Sequence, residues 1–168
     1  TKGIQGRSGV EERDKCEAGW RGCRVETCTK ARVFCNHKKD VEILDRVLTK
    51  HGFDAVQLHG DMAQSKRSET LEKFKGGEVS LMVCSDVAAR GIDIKGLSHV
   101  FNFDVAHHAE DYVHRIGRTG RAGREGRAYT FATPDDGKAV EAIEKLIGKE
   151  IPRLQIEGIE TQAFSEGD

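Results

Sequence analysis

Proline and tryptophan are scarce in this 168-residue chain, with two and one, and no apolar run is long enough to cross a bilayer. Nothing resembles a signal or transit peptide, so the expected setting is a reducing cytoplasm with no membrane contact. Position 1 is threonine rather than methionine, as in a fragment or a processed chain. The formal net charge is only −1, which excludes a protein that attracts polyanions with its whole surface. Any nucleic-acid site must therefore come from local clustering of charge. The five cysteines include no C-x-x-C pair. Cys16, Cys23 and Cys28 have neither zinc spacing nor a histidine among them, while Cys35 and Cys84 sit in apolar runs and read as buried free thiols.

Nucleotide motifs are missing as well. There is no G-x-x-x-x-G-K-[ST] phosphate loop, and the nearest approach, GDMAQSKR, has Ser65 where the second glycine belongs. No G-x-G-x-x-G is present, and no cluster of carboxylates offers an obvious magnesium site. By itself such a domain is expected not to bind and cleave a nucleotide. Asp93 and the arginines can still supply half of such a site.

What is present alternates regularly from Ala31 onward. ARVFC reads as a buried strand, and the following NHKKDVEILDRVLTKHG reads as a helix with Leu44, Val47, Leu48 and His51 on one face. Asn36 is the expected cap of that helix and Gly52 its stop. FDAVQLH, VSLMVCS, SHVFNFD and RAYTFAT read as further strands. Between them, Asp61 and Gln64 form a capping-box-like start to a helix ended by Gly76 and Gly77. HHAEDYVHRI is helical with acids in its first turn, and Thr133 with Pro134 opens a last helix, AVEAIEKLIG. Strand and helix in turn predict an α/β domain, a parallel sheet covered by helices on both faces. Its ligands belong at the C-terminal ends of the strands, where NHKKD, HGDMAQSKR and SDVAARGID fall. The expected organisation is an atypical segment over residues 1–30, partly disordered, then the domain over 31–150 and a tail over 151–168.

The densest charge lies in HRIGRTGRAGREGR, where an arginine recurs every third residue from Arg115 to Arg127. It is too short and too poor in proline for a collagen-like repeat, and the helix before it and strand after it exclude a disordered Arg-Gly tract. If the helix continues, Arg115, Arg118 and Arg121 share about one face. Guanidinium forks onto phosphate while glycine permits close backbone approach, so phosphate contact is the expected use, with a solvated surface as the alternative.

SLMVCSDVAARGIDI followed by HRIGRTGRAG resembles the C-terminal RecA-like domain of DEAD-box RNA helicases. VFCNHKKD resembles the family's motif IV, and HGDMAQSKR its HGD-x-x-Q-x-x-R segment, in the same order over residues 31–146. HHAEDYVHRIGRTGRAGR and the IPRL-x-I-E-G ending are similar to bacterial members of the RNA helicase E-like branch. The resemblance implies a RecA-like three-layer α/β/α fold of five to six strands, and a motor of two such lobes. ATP and Mg2+ would be held mainly by the N-terminal lobe of the same protein, which carries the phosphate loop and the D-E-A-D site. It also implies that Arg118 and Arg121 are arginine fingers toward the γ-phosphate, and that Asp93 binds the ribose with Gly91 beside it. His114 would couple to the other lobe's acidic motif. Arg115 would link these elements within its own lobe, an ion pair with an acid such as Asp86 being the alternative to a ligand contact.

For RNA, the resemblance carries over Gly60, Asp61, Gln64, Arg67, Ser85, Arg90 and Gly91, with Asn36 and Lys38 as further candidates. Such groups reach phosphates and 2′-hydroxyls rather than base edges, so RNA binding without sequence preference by a monomer is implied. Asp61 and Gln64 retain their plain reading as a helix cap, and His37 to Lys39 theirs as a solvated helix start. Ser85 often appears as threonine in the family, and the hydroxyl is kept. The family usually shows a leucine-rich helix before motif IV, whereas KCEAGWRGCRVETCTK here is rich in glycine and cysteine. Two other functions stay open: a non-catalytic RNA-binding or regulatory module, and a lobe of a DNA-directed superfamily 2 motor.

Overall fold

The chain is described by a computed structural model over residues 3–9, 29–116 and 126–151, with residues 3–9 and 126 described by their backbone alone. The described residues form β1 (Gly3–Gly9), β2 (Ala31–Cys35), α1 (Lys38–Lys50), β3 (Ala55–Leu58) and α2 (Gln64–Lys75). Next come β4 (Leu81–Ser85), the single turn α3 (Asp86–Ala89), β5 (His99–Asn102), α4 (Ala109–Ile116), β6 (Gly126–Ala132) and α5 (Gly137–Ile147). The strands make one six-stranded sheet in the order β1-β6-β5-β2-β4-β3, and every pairing is parallel. Among the described residues no helix is long and apolar enough to cross a membrane.

Burial follows from this order. β2 and β4 lie inside the sheet and all five residues of each are buried, as expected of strands covered on both faces. On one face Val41, Leu44 and Leu48 of α1 pack against Val33, Cys35, Val83 and Phe101. On the other, Phe74 of α2, Tyr112 and Ile116 of α4, and Val140 and Ile143 of α5 cover Phe34, Met82, Cys84 and Val100. The layers are thus helix, sheet, helix. Burial pushes the Cys84 thiol up to about 12 and raises Cys35 well above its usual value, so both are inert.

Three local expectations are corrected. β1 arises from GIQGRSG, which has no apolar alternation and lies in a segment read as partly disordered. Parallel backbone pairing to β6, from Gly3 opposite Gly126 to Gly9 opposite Ala132, needs no such pattern. The cap position of α1 belongs to His37, and Asn36 is drawn into other bonds. At α2 the cap position is Ala63 with no side-chain bond, because Asp61 is paired with Lys38 instead. Thr133 caps as expected, accepting and returning bonds with Asp136 in a full capping box, but around the short 3₁₀ turn Pro134–Asp136 that precedes α5. Gly148 then closes α5 at φ 76°, a left-handed conformation suited to glycine.

One polar group binds the C-terminal edge of the sheet together. Arg115 comes from the last turn of α4, and its side chain is only 1% exposed. Its Nε and Nη2 fork onto Asp86 at 2.7 and 2.6 Å. Nη2 also donates to Asn36 Oδ1 at 2.9 Å, and Nη1 donates to the Asp104 carbonyl at 2.8 Å and Asn102 Oδ1 at 3.3 Å. These five bonds match the five N–H groups of a guanidinium. Asn36 is held further, its amide N–H on Asp104 Oδ2 and its Nδ2 on the Val105 carbonyl. A single buried cation therefore ties together β2, α3, β5 and α4.

Substituting Arg115→Met strands Asp86 and three further acceptors at that edge, Asn36 Oδ1, Asn102 Oδ1 and the Asp104 carbonyl. Breaking a buried pair costs about 3–5 kcal/mol, and the 20% exposure of Asp86 puts the loss near the lower end. Urea unfolding measures it, and a loss below about 1 kcal/mol contradicts the tie. A second prediction concerns Asp45 and Gln57, where Gln57 Nε2 donates to Asp45 Oδ2 at 3.2 Å while Asp45 Oδ1 and Gln57 Oε1 are buried without partners. Burial raises the Asp45 carboxyl above its usual value, partly offset by the Gln57 bond. Asp45→Asn supplies the missing donor and stabilises the chain by about 0.5–1.5 kcal/mol at neutral pH. Because the folded-state value is raised, acidification protonates Asp45 in the folded chain and relieves the wild type. The variant's advantage therefore shrinks as pH falls through that value, and thermal melts showing it grow instead contradict the assignment.

Candidate functional site

The loops leaving β2, β3 and β4 emerge side by side, because these strands are neighbours in the sheet. That places most of the residues singled out in the sequence on one edge. Ser85 ends β4, nearly buried, and its Oγ accepts the Ala88 N–H at 3.3 Å, which starts the α3 turn. Arg90 and Gly91 follow, both exposed. Gly91 has φ 79°, so a side chain there is strained although the space around it is open. The turn sets Arg90 and Gly91 outside the sheet and brings the chain back through Asp93.

A cavity of about 540 Å³ opens beside this turn. Arg90, Gly91 and Asp93 line it, as do His114 and Asp111 from α4 and the Asp86–Arg115 pair. Arg32 and Phe34 of β2, with Ala89, Ile92 and Val113, complete the lining, and the guanidinium carbons of Arg32 and Arg115 each lie 5.2 Å from the Phe34 ring centre. The cleft is mixed, an apolar wall carrying carboxylates and guanidinium groups. It suits a ligand that has an apolar face together with hydroxyls or charges.

Lys38 and Asp61 pair at the opening of the next loop, both well exposed. The pairing holds the Lys38 ammonium above and the Asp61 carboxyl below their usual values, the direct hydrogen bond being the larger cause for each. Asp61 donates its backbone N–H to His59 Nδ1 at 3.3 Å, and Gly60 between them is exposed. Gln64 opens α2, its Nε2 on Ser68 Oγ at 3.4 Å, and Arg67 lies half-buried one turn further. Neither Gln64 nor Arg67 lines the cavity. The edge therefore has two parts, the cavity side and the Lys38-to-Arg67 side, with Ser85 at the end of β4 and Arg90 after the α3 turn.

Arg118 and Arg121 lie outside the described residues, as do Cys16, Cys23, Cys28 and the tail beyond Ile151. Among the described residues no three His, Cys, Asp or Glu side chains gather as a metal site would require. The sequence reading missed Asn102 and Asp104, which serve Arg115, and also Arg32, Phe34 and Asp111. A signal existed for Arg32, a charged residue inside an otherwise apolar strand.

Comparison with known proteins fits this geometry. A model of the family "Helicase conserved C-terminal domain" matches residues 14–123. The DEAD-box ATP-dependent RNA helicase CshA of Bacillus subtilis is 44% identical over 146 residues, covering 87% of this chain and 30% of that protein. The ATP-dependent RNA helicase RhlB of Pseudomonas putida is 48% identical over 122 residues, covering 73% of this chain and 31% of that protein. The chain thus spans about a third of the length of these curated relatives. Among solved structures, the E. coli DEAD-box protein SrmB, bound to regulator of ribonuclease activity A, superposes with a TM-score of 0.90 at 34% identity, covering 99% of both chains. The S. cerevisiae Dbp5 bound to RNA and ADP BeF3 superposes at 0.84 with 29% identity, over 94% of this chain and 43% of that one. A RecA-like α/β sheet, the helicase motifs on its C-terminal edge and these matches agree: the chain belongs to the DEAD-box RNA helicases and is their C-terminal helicase domain.

Proposed function

We propose that this chain is the closing half of an ATP-dependent RNA helicase, completing a nucleotide site and an RNA groove begun by an N-terminal RecA-like lobe of the same protein. The observation that carries this reading is the shared edge. Asp93, Gly91 and His114 line one cavity, while Ser85, Arg90 and Lys38 lie along the same sheet end. In this reading Asp93 accepts hydrogen bonds from the ribose hydroxyls, Gly91 lets the backbone approach the nucleotide, and His114 meets the acidic motif of the other lobe. Arg118 and Arg121, which follow α4 in the chain, stabilise charge developing on the γ-phosphate. The phosphate cradle and Mg2+ belong to the other lobe in this reading, since the sequence has no phosphate loop and, among the described residues, no three His, Cys, Asp or Glu side chains gather as a metal site would require. What Mg2+ supplies when bound is neutralisation of phosphate charge.

RNA would cross the Lys38-to-Arg67 side and Ser85, Arg90 and Gly91. Lys38, Arg67 and Arg90 offer cations to phosphates, and Ser85, Gly60 and Gln64 offer polar contacts to backbone and 2′-hydroxyls, without reading bases. Asn36 serves this groove by fixing the end of β2, its amide N–H, Nδ2 and Oδ1 all being engaged. Asp61 holds Lys38 toward the groove. The RNA and ADP BeF3 held by yeast Dbp5, at 29% identity, support both halves of the assignment. Hydrolysis in the joined protein would be coupled to local separation of RNA strands, by a monomer in the cytoplasm.

Two measurements test this. In a two-lobe protein containing this chain, Arg118→Ala or Arg121→Ala lowers RNA-stimulated ATP turnover by about 10³-fold or more. RNA binding by the same variants stays within about threefold, because phosphate contacts of the groove are spread over many groups. Undiminished turnover in either variant overturns the finger assignment. Alone, this chain should show no ATPase, and mixing it with a separate first lobe and RNA should restore a trace. Robust hydrolysis by the chain alone would falsify the half-site reading.

A further inference from the structure

Arg32 lines the cavity from inside the sheet, where packing does not explain a charge. It sits in the middle of β2, between β5 and β4, where its neighbours Ala31, Val33, Phe34 and Cys35 are apolar and buried. It is 3% exposed, and its Nε is buried without a hydrogen-bond partner. Arg115, equally close to the Phe34 ring, uses its Nε, Nη1 and Nη2 in five bonds. A buried cation with an unmet donor is destabilising, and an apolar side chain of similar volume serves a sheet interior better. A residue kept against that cost acts through its charge.

The charge has a target in the same cavity. Asp93 lines it with Arg32, and the field of Asp93 favours the protonated guanidinium, against the burial that lowers Arg32 from its usual value. The attraction is mutual: a fixed cation in the cavity wall draws a carboxylate toward the cavity rather than out to solvent. An ionised carboxylate is an acceptor only, so it takes two hydroxyl protons at once from a vicinal diol. A phosphate is repelled by Asp93 and an ammonium by Arg32, which leaves hydroxyls as the groups that fit between them.

We propose that Arg32 is a positioning residue for Asp93, holding its carboxylate ready for the 2′- and 3′-hydroxyls of the nucleotide ribose. This rests on the assignment of Asp93 to the ribose made above. Arg32 need not touch the ligand. Its role is to make recognition of the sugar depend on both hydroxyls.

The test compares ATP with 2′,3′-dideoxy-ATP in the two-lobe protein, for the parent, Arg32→Leu, Arg32→Lys and Asp93→Asn. In the parent, KM for ATP is expected to be lower than for the dideoxy nucleotide by about tenfold, one good polar contact's worth. Arg32→Leu raises KM for ATP by about tenfold and leaves KM for the dideoxy nucleotide unchanged, so the preference collapses as it does in Asp93→Asn. The loss falls on KM rather than kcat, Arg32→Lys recovers most of the preference, and the melting temperature of Arg32→Leu is unchanged or higher. A preference that survives in Arg32→Leu overturns the proposal. So does a lowered melting temperature with both KM values raised equally, which marks a structural arginine. If Asp93→Asn keeps the parent's preference, or the parent has none, the ribose assignment itself fails and the role of Arg32 falls with it.

Discussion

Everything on the functional edge depends on one buried guanidinium. Arg115 is held by Asp86 on the turn after β4, by Asn36 after β2, and by Asn102 and the Asp104 carbonyl at β5. Parallel strands share no hairpins, so their C-terminal loops have no covalent reason to keep a fixed relation to one another. Arg115 supplies that relation. It fixes the start of α3, from which Arg90, Gly91 and Asp93 hang, relative to α4, which carries His114.

The edge concentrates charge that the composition conceals. A net charge of −1 over the chain coexists with Lys38, Arg67 and Arg90 along one rim. Two carboxylates at this edge each serve a specific base, Asp86 the buried Arg115 and Asp61 the exposed Lys38. An exposed pair such as Lys38–Asp61 contributes little to stability. Its use is directional, since it aims a flexible side chain that otherwise samples many rotamers. In the proposed reading, where the groove binds RNA without reading bases, aimed cations matter more than a high total charge.

Much of the fold was legible because its cause is hydrophobic patterning. β2 coincides with ARVFC, and β4 falls within VSLMVCS, because strands buried on both faces appear as unbroken apolar runs. β1 was not legible. Its pairing runs through backbone groups, which every sequence possesses, and GIQGRSG carries no side-chain pattern to reveal them. The misread caps have a different origin. Asn36 and Asp61 are sound capping residues locally, but each has a stronger partner far away in sequence, Arg115 and Lys38. Local chemistry proposes such bonds and tertiary structure reassigns them, so a residue-by-residue reading finds the loop that matters before it finds the bond.

Arg32 and Arg115 show why residue type alone could not separate structure from function at this site. Both are buried arginines beside Phe34, lining one cavity. The sequence drew attention to Arg115 because it stands in a recognisable motif, and passed over Arg32 because it stands in a strand. Their hydrogen bonds invert that emphasis. Arg115 has every donor group engaged within its own lobe, so its contribution is complete before any ligand arrives. Arg32 has a donor unmet and shares its cavity with the Asp93 carboxylate, so in the proposed reading its contribution is realised only when something engages that carboxylate. A satisfied buried charge is explained by the fold that satisfies it. An unsatisfied one, retained where an apolar residue fits, points outward to the chemistry the fold was built to perform.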